Sequence, residues 1–137
     1  MQFENLVLNN LPNLLPHLEI NPHEIVNAGP YLQTETKTRQ KCQIDLLIQT
    51  KYQCLYLCEV KFKNSPIKAS IVNDVKDKIK RLQTPKGFSI RPVLIHVNGI
   101  CDSVYENDFF SHIINFESLF SKNHDRISNY IGYSMMF

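Results

Sequence analysis

CQIDLLIQTKYQCLYLCEVKF, Cys42 to Phe62, joins two apolar segments through a short polar stretch, and both segments are rich in Leu, Ile, Val or Tyr. Pairing Asp45 with Glu59 as neighbours puts the turn at Lys51-Tyr52-Gln53, a loop length that suits a β-hairpin. Ile44 then faces Val60, Leu46 faces Cys58 and Ile48 faces Tyr56, which makes one face of the hairpin apolar. Side chains alternate along a strand, so the other face carries Asp45 opposite Glu59 and Leu47 opposite Leu57, with Lys61 just beyond Glu59. Gln43, two residues before Asp45, shares that face. The second face is thus apolar in its middle and ionic at one end. A sheet covered by helices on both sides needs the apolar middle. Two carboxylates directly across a strand pair repel, and their juxtaposition calls for a compensating cation.

Outward from the hairpin the chain reads as an ordered series of elements. Phe3, Val7, Leu8, Leu11, Leu14, Leu15 and Leu18 have helical spacing, and Pro12 and Pro16 divide the pattern into a helix ending near Asn10 and a short or kinked turn after it. Glu19 to Pro30, with two prolines and Gly29, reads as a connector, followed by a strand over Tyr31 to Lys37. Strands over Cys42 to Thr50 and Gln53 to Phe62 complete an antiparallel meander. Ser65-Pro66 breaks the third strand, and Ser70 is placed to cap a helix through about Gln83, with Ile71, Val72, Val75, Ile79 and Leu82 on one face. Pro85 and Gly87 end it. Ile90 to Val97 is a short apolar strand, Asn98-Gly99 a turn, Ile113 to Phe116 one more strand and Glu117 to Phe120 a short helix. The order α-β-β-β-α-β defines an α/β fold with a mixed central sheet.

A chain of 137 residues with 43% hydrophobic content is enough for one core and short for two, so residues 1–137 are expected to form a single domain. No apolar run approaches the roughly 20 residues that span a bilayer, and an acidic residue stands near the N-terminus where a signal peptide is basic, which predicts a cytoplasmic protein. Cys42, Cys54, Cys58 and Cys101 lack paired zinc-site spacing and read as reduced thiols, three of them in apolar strands. His17, His23, His96, His112 and His124 likewise show no ligand spacing. The net charge of +2 neither demands nor excludes a polyanionic partner, so the distribution of charge carries the argument. Lys37, Arg39, Lys41, Lys63 and Lys68, with Lys76, Lys78, Lys80 and Arg81, flank the acidic end of the hairpin as a basic rim, Arg39, Lys63 and Lys76 being candidate phosphate contacts. Asp74 and Asp77 intermix with the helix lysines, which is also the pattern of a solvated face. The apolar tail Tyr130 to Phe137 is expected to dock on the domain or on another subunit, as in a homodimer.

A Glu-x-Lys pair alone is as well explained by a solvated strand edge. Glu4 adds to it, because at about 100° per residue it lies on the helical face of Val7, Leu8, Leu11 and Leu15 and is aimed at the interior. With FEN near the start, QIDLLI at Gln43 to Ile48 and LCEVKF at Leu57 to Phe62, the sequence resembles the PD-(D/E)XK nuclease superfamily, of restriction-endonuclease-like αβββαβ core. It is similar more narrowly to the nuclease-like domain that follows certain prokaryotic AAA-type ATPases. The likeness runs from Phe3 to about Phe120, with Ile44 where a Pro often precedes the Asp and without the ATPase part.

The resemblance implies Glu4 as the helix acid, Asp45 and Glu59 as ligands of Mg²⁺ or Mn²⁺ joined by the backbone carbonyl of Val60, and Lys61 as the catalytic lysine, with Gln43 beside them. Phosphodiester hydrolysis needs an activated water and neutralised charge on the phosphoryl group, work that a hard cation on carboxylates and a nearby ammonium perform. Two functions follow: a metal-dependent nuclease acting on DNA, and a catalytically inactive module on the same fold that binds nucleic acid or a protein partner such as an AAA-type ATPase.

Overall fold

A computed structural model of the protein describes residues 3–123, with side chains over 5–119. Helix α1 spans Phe3–Asn9, α2 Leu11–Leu14, and a 3₁₀ turn follows over Leu15–Leu18. Pro12 and Pro16 sit in first turns, where their missing N–H groups are harmless. Strands β1 (Ile25–Gln33), β2 (Cys42–Thr50) and β3 (Cys54–Lys61), helix α3 (Ser70–Arg81), strand β4 (Ser89–His96), helix α4 (Asp102–Glu106) and strand β5 (His112–Asn115) come next, and Phe116–Asn123 ends in 3₁₀ form. Among the described residues the sheet runs β1-β2-β3-β4-β5, antiparallel from β1 to β3 and parallel from β3 to β5.

The hairpin register matches the alternation argument where the ladder runs, with Leu46 opposite Cys58, Leu47 opposite Leu57 and Ile48 opposite Tyr56. Gln53 takes φ of 59° to close the three-residue turn. Beyond Leu46 the expectation fails. Gly29 pairs with Leu47 but Tyr31 with Ile44, so Asp45 and Leu46 together oppose the single residue Pro30. Pro30 lacks the N–H that a regular ladder would use, and a β-bulge in β2 absorbs the mismatch. Cys42 and Ile44 are thereby turned to the α3 side of the sheet, where they join Leu57, Ile71, Val72 and Val75 in one buried cluster. Ile44 therefore does not continue the apolar face of Leu46, Ile48 and Val60. Those residues pack with Val7, Leu14, Leu15 and Leu18 in a second cluster on the opposite face.

The structure also departs from the sequence reading in element boundaries and in one added helix. β1 begins at Ile25, inside the predicted connector, and ends at Gln33, because β2 supplies a pairing surface that residues 25–33 use despite Gly29 and Pro30. As the edge strand it tolerates the proline. Ser70 is the first residue of α3 and not its cap; Ala69 holds that position without a side-chain bond, and the Lys68 and Ala69 carbonyls accept from Ile71 and Val72 N–H instead. Helix α4, absent from the prediction, buries Val104 against the α3 side. Among the described residues no helix is long and apolar enough to cross a membrane, and the four cysteines are free.

Candidate functional site

The bulge that turns Ile44 away also aims Asp45. Where the β2–β3 ladder lapses, the Asp45 carboxylate takes its place and Oδ2 accepts the Val60 N–H at 2.9 Å. Asp45, Glu59, Val60, Lys61 and Gln43 line one cleft of about 400 Å³, closed by Lys41 and by Lys78 and Arg81 from the last turn of α3. Val60 is held here through its N–H. Gln43 is exposed at the rim.

Glu59 is the centre of charge. Its side chain is 3% exposed, and a carboxylate so placed needs a cation. Lys78 provides it: Nζ donates to Oε1 at 3.1 Å and stands 2.9 Å from Oε2. Lys61 Nζ lies farther off, 3.8 Å from Oε1. Oε2 is held by the ion pair to Lys78, without a well-aligned hydrogen bond. Burial pushes the Glu59 carboxyl above the ordinary glutamate range; Lys78 draws it back and Asp45 pushes it further up. Burial and Asp45 thus favour the protonated form of Glu59, and Lys78 and Lys61 the ionised one.

By sequence Lys78 is only one of several rim lysines. The signal for its inward position is the spacing, since Ile71, Val75, Lys78 and Leu82 share one stripe of the helix. Gln33 was missed, and a glutamine at a strand end carries no signal by itself. Buried at 1% exposure, it donates to the Gln40 and Arg81 carbonyls at 2.6 and 2.8 Å and accepts the Gln83 N–H at 2.9 Å, pinning the β1–β2 loop to the end of α3.

The other predicted positions are more scattered. Lys63 is exposed just past the end of β3. Lys76 stands away from the cleft, its ammonium 5.5 Å from the Phe109 ring. Arg39 lies in the β1–β2 loop beside Arg81. Glu4 falls in α1, but its side chain is outside the described residues, as are His124 and the tail from Tyr130. The buried residue Val7 of that helix packs on the face of the sheet opposite the Glu59 cleft. Among the described residues no group of three or more His, Cys, Asp and Glu side chains is placed to hold a metal ion. Asp45 and Glu59 line one cleft and are the hard oxygen donors through which Mg²⁺ commonly binds while keeping its waters, with the Lys78 ammonium now against both oxygens of Glu59.

No family model matches the sequence, and no curated protein does. The structure is similar to the crystal structure of a repair endonuclease from Pyrococcus abyssi, with a TM-score of 0.51 and 14% identity, over 83% of this chain and 44% of that one. It is also similar to the crystal structure of a protein of unknown function, with a TM-score of 0.49 and 14% identity over 72% of this chain and 52% of that one. This chain thus spans roughly half the length of the solved structures it matches. At such identity the likeness to the endonuclease shows the fold alone: an α/β, restriction-endonuclease-like fold with a mixed sheet flanked by helices.

Proposed function

We propose that the protein is a divalent-metal-dependent nuclease that hydrolyses phosphodiester bonds in DNA. The observation that carries this reading is the convergence of Asp45 and Glu59 on one cleft, with Lys61 and Lys78 both at the Glu59 carboxylate. A buried acid set beside a second acid is an expensive arrangement for a structural role and a useful one for binding a hard cation. Mg²⁺ or Mn²⁺ held by Asp45 and Glu59, with the Val60 carbonyl as a further ligand, supplies an activated water and charge neutralisation at the phosphoryl group. Lys61, the more exposed of the two lysines, is assigned to orient that water and offset oxyanion charge, and Gln43 to hydrogen-bond water or phosphate. Lys63, Lys76 and Arg39 are assigned to the DNA backbone.

The test is single-turnover cleavage of a labelled DNA panel during Mg²⁺ and Mn²⁺ titration, with calorimetric metal binding for the intact protein, Asp45→Asn and Lys61→Met. Asp45→Asn is expected to weaken metal binding, since an amide brings no charge to a hard cation. Lys61→Met is expected to slow cleavage on the order of 100-fold with DNA affinity unchanged, a loss in the transition state alone. Cleavage by Lys61→Met at the unmodified rate removes that assignment.

One observation favours a second reading. Lys78 already satisfies Glu59 without any metal, as a retired site would be stabilised. On that reading the domain binds nucleic acid or a protein such as an AAA-type ATPase without cutting, and no metal-dependent cleavage is seen for any substrate in the panel.

A further inference from the structure

A second cleft of about 490 Å³ adjoins the first and shares Arg81 with it. It lies between the loop from β1 to β2 and the last turn of α3. Lys37, Arg39, Lys80 and Arg81 supply four cations to its lining and Glu35 a single carboxylate. Its walls are fixed before any ligand arrives. Gln33 bonds to the loop at Gln40 and to the helix end at Arg81 and Gln83. Arg81 Nη1 donates to the Lys41 carbonyl at 2.9 Å and Nη2 pairs with Asp77 at 3.0 Å. The Thr36 N–H donates to the Arg39 carbonyl at 2.9 Å, which folds the loop back on itself.

Two donors are left over. Arg39 Nε and Arg81 Nε are both shielded from solvent and have no hydrogen-bond acceptor among the described residues. Both side chains are partly exposed where they line the cleft, Arg81 at 31%, so the guanidinium groups are open to an anion that enters it. The guanidinium fork matches the oxygens of a phosphate or carboxylate, and a strongly cationic, polar cleft with little apolar lining favours the more highly charged and strongly accepting phosphate.

We propose that this cleft binds a phosphate ester of a nucleic-acid strand next to the one at Asp45 and Glu59, with Arg39 and Lys80 as its movable contacts and Arg81 as the fixed wall between the two. The proposal rests on the nuclease reading for the course of the strand, but its test needs no cleavage. Binding of labelled oligonucleotides, with and without a 5′-phosphate, is followed by fluorescence anisotropy in EDTA across a salt series. Arg39→Gln with Lys80→Gln is compared with Lys51→Gln in the β2–β3 turn, and urea unfolding checks that each variant is folded.

Arg39 and Lys80 together neutralise one phosphate, so the double variant is expected to lose about one from the salt slope and to bind at least 10-fold more weakly at low salt, while Lys51→Gln matches the unmodified protein. Equal binding of strands with and without the terminal phosphate assigns the cleft to an internal phosphodiester. A 5′-phosphate preference that Arg39→Gln abolishes assigns it to the strand end. An unchanged slope in the folded double variant overturns the proposal, even if the protein cuts DNA. A lowered slope in a protein that never cuts supports the cleft and removes only the nuclease reading.

Discussion

Lys78→Met isolates the ion pair on which the candidate site is built. Methionine keeps most of the aliphatic stem against the sheet while deleting the ammonium that lies 3.1 and 2.9 Å from the two oxygens of Glu59. Removing one partner of a buried pair costs about 3 to 5 kcal/mol, because the other charge is left uncompensated. Two features of this site reduce that figure. Lys61 remains 3.8 Å from Oε1, and Glu59, already raised by burial, can escape by taking a proton. The expected loss is therefore about 2 kcal/mol near pH 8, where protonation is least favourable, and is smaller near pH 5. For a chain of this size 2 kcal/mol corresponds to a Tm lower by about 6 to 8 °C. Urea unfolding of the variant and of the exposed control Lys80→Met at both pH values measures it. A Lys78→Met protein as stable as the parent near pH 8, or equally destabilised at both pH values, refutes the assignment of Lys78 as the cation that keeps Glu59 ionised.

Three further outcomes are expected. In the unmodified protein Glu59 binds its proton more tightly folded than unfolded, so its contribution to stability falls as pH rises from the ordinary glutamate value through the raised one; Glu59→Gln should flatten that part of the stability profile in denaturant titrations. Asp45→Ala leaves the Val60 N–H without its acceptor and should cost about 1 to 2 kcal/mol in urea unfolding, whereas Asp45→Asn, which keeps an amide oxygen there, should cost less. Gln33→Ala removes three hydrogen bonds at once, two of them to residues that water can reach, and should cost about 2 kcal/mol, with faster hydrogen exchange at the Gln83 N–H as the local readout.

The hairpin was legible in the sequence because its determinants are local. Alternating side chains and a three-residue turn leave one register that buries Leu46, Ile48, Tyr56 and Cys58 together, and a slip by one residue would turn all of them to the other face. Helix α3 was legible for a similar reason, its apolar stripe having the period of the helix itself. From these, the order of elements and the mixed sheet followed. What the tertiary structure decided lies where distant segments compete for the same groups. Residues 25–33 read as a connector by their Gly and Pro, yet form a strand because the free edge of β2 offers more hydrogen bonds than a loop would find. Pro30, having no N–H to give, then forces the bulge at Asp45 and Leu46, which sends Ile44 to the α3 side and frees the Asp45 carboxylate for the Val60 N–H. No pattern within β2 announces that bulge, since its cause is a residue 15 positions upstream of Asp45 on the neighbouring strand. The choice of Lys78 over its neighbouring lysines as the partner of Glu59 was likewise settled by packing: the stripe that buries Val75 and Leu82 carries Lys78 inward with them, over a carboxylate that could not be buried alone.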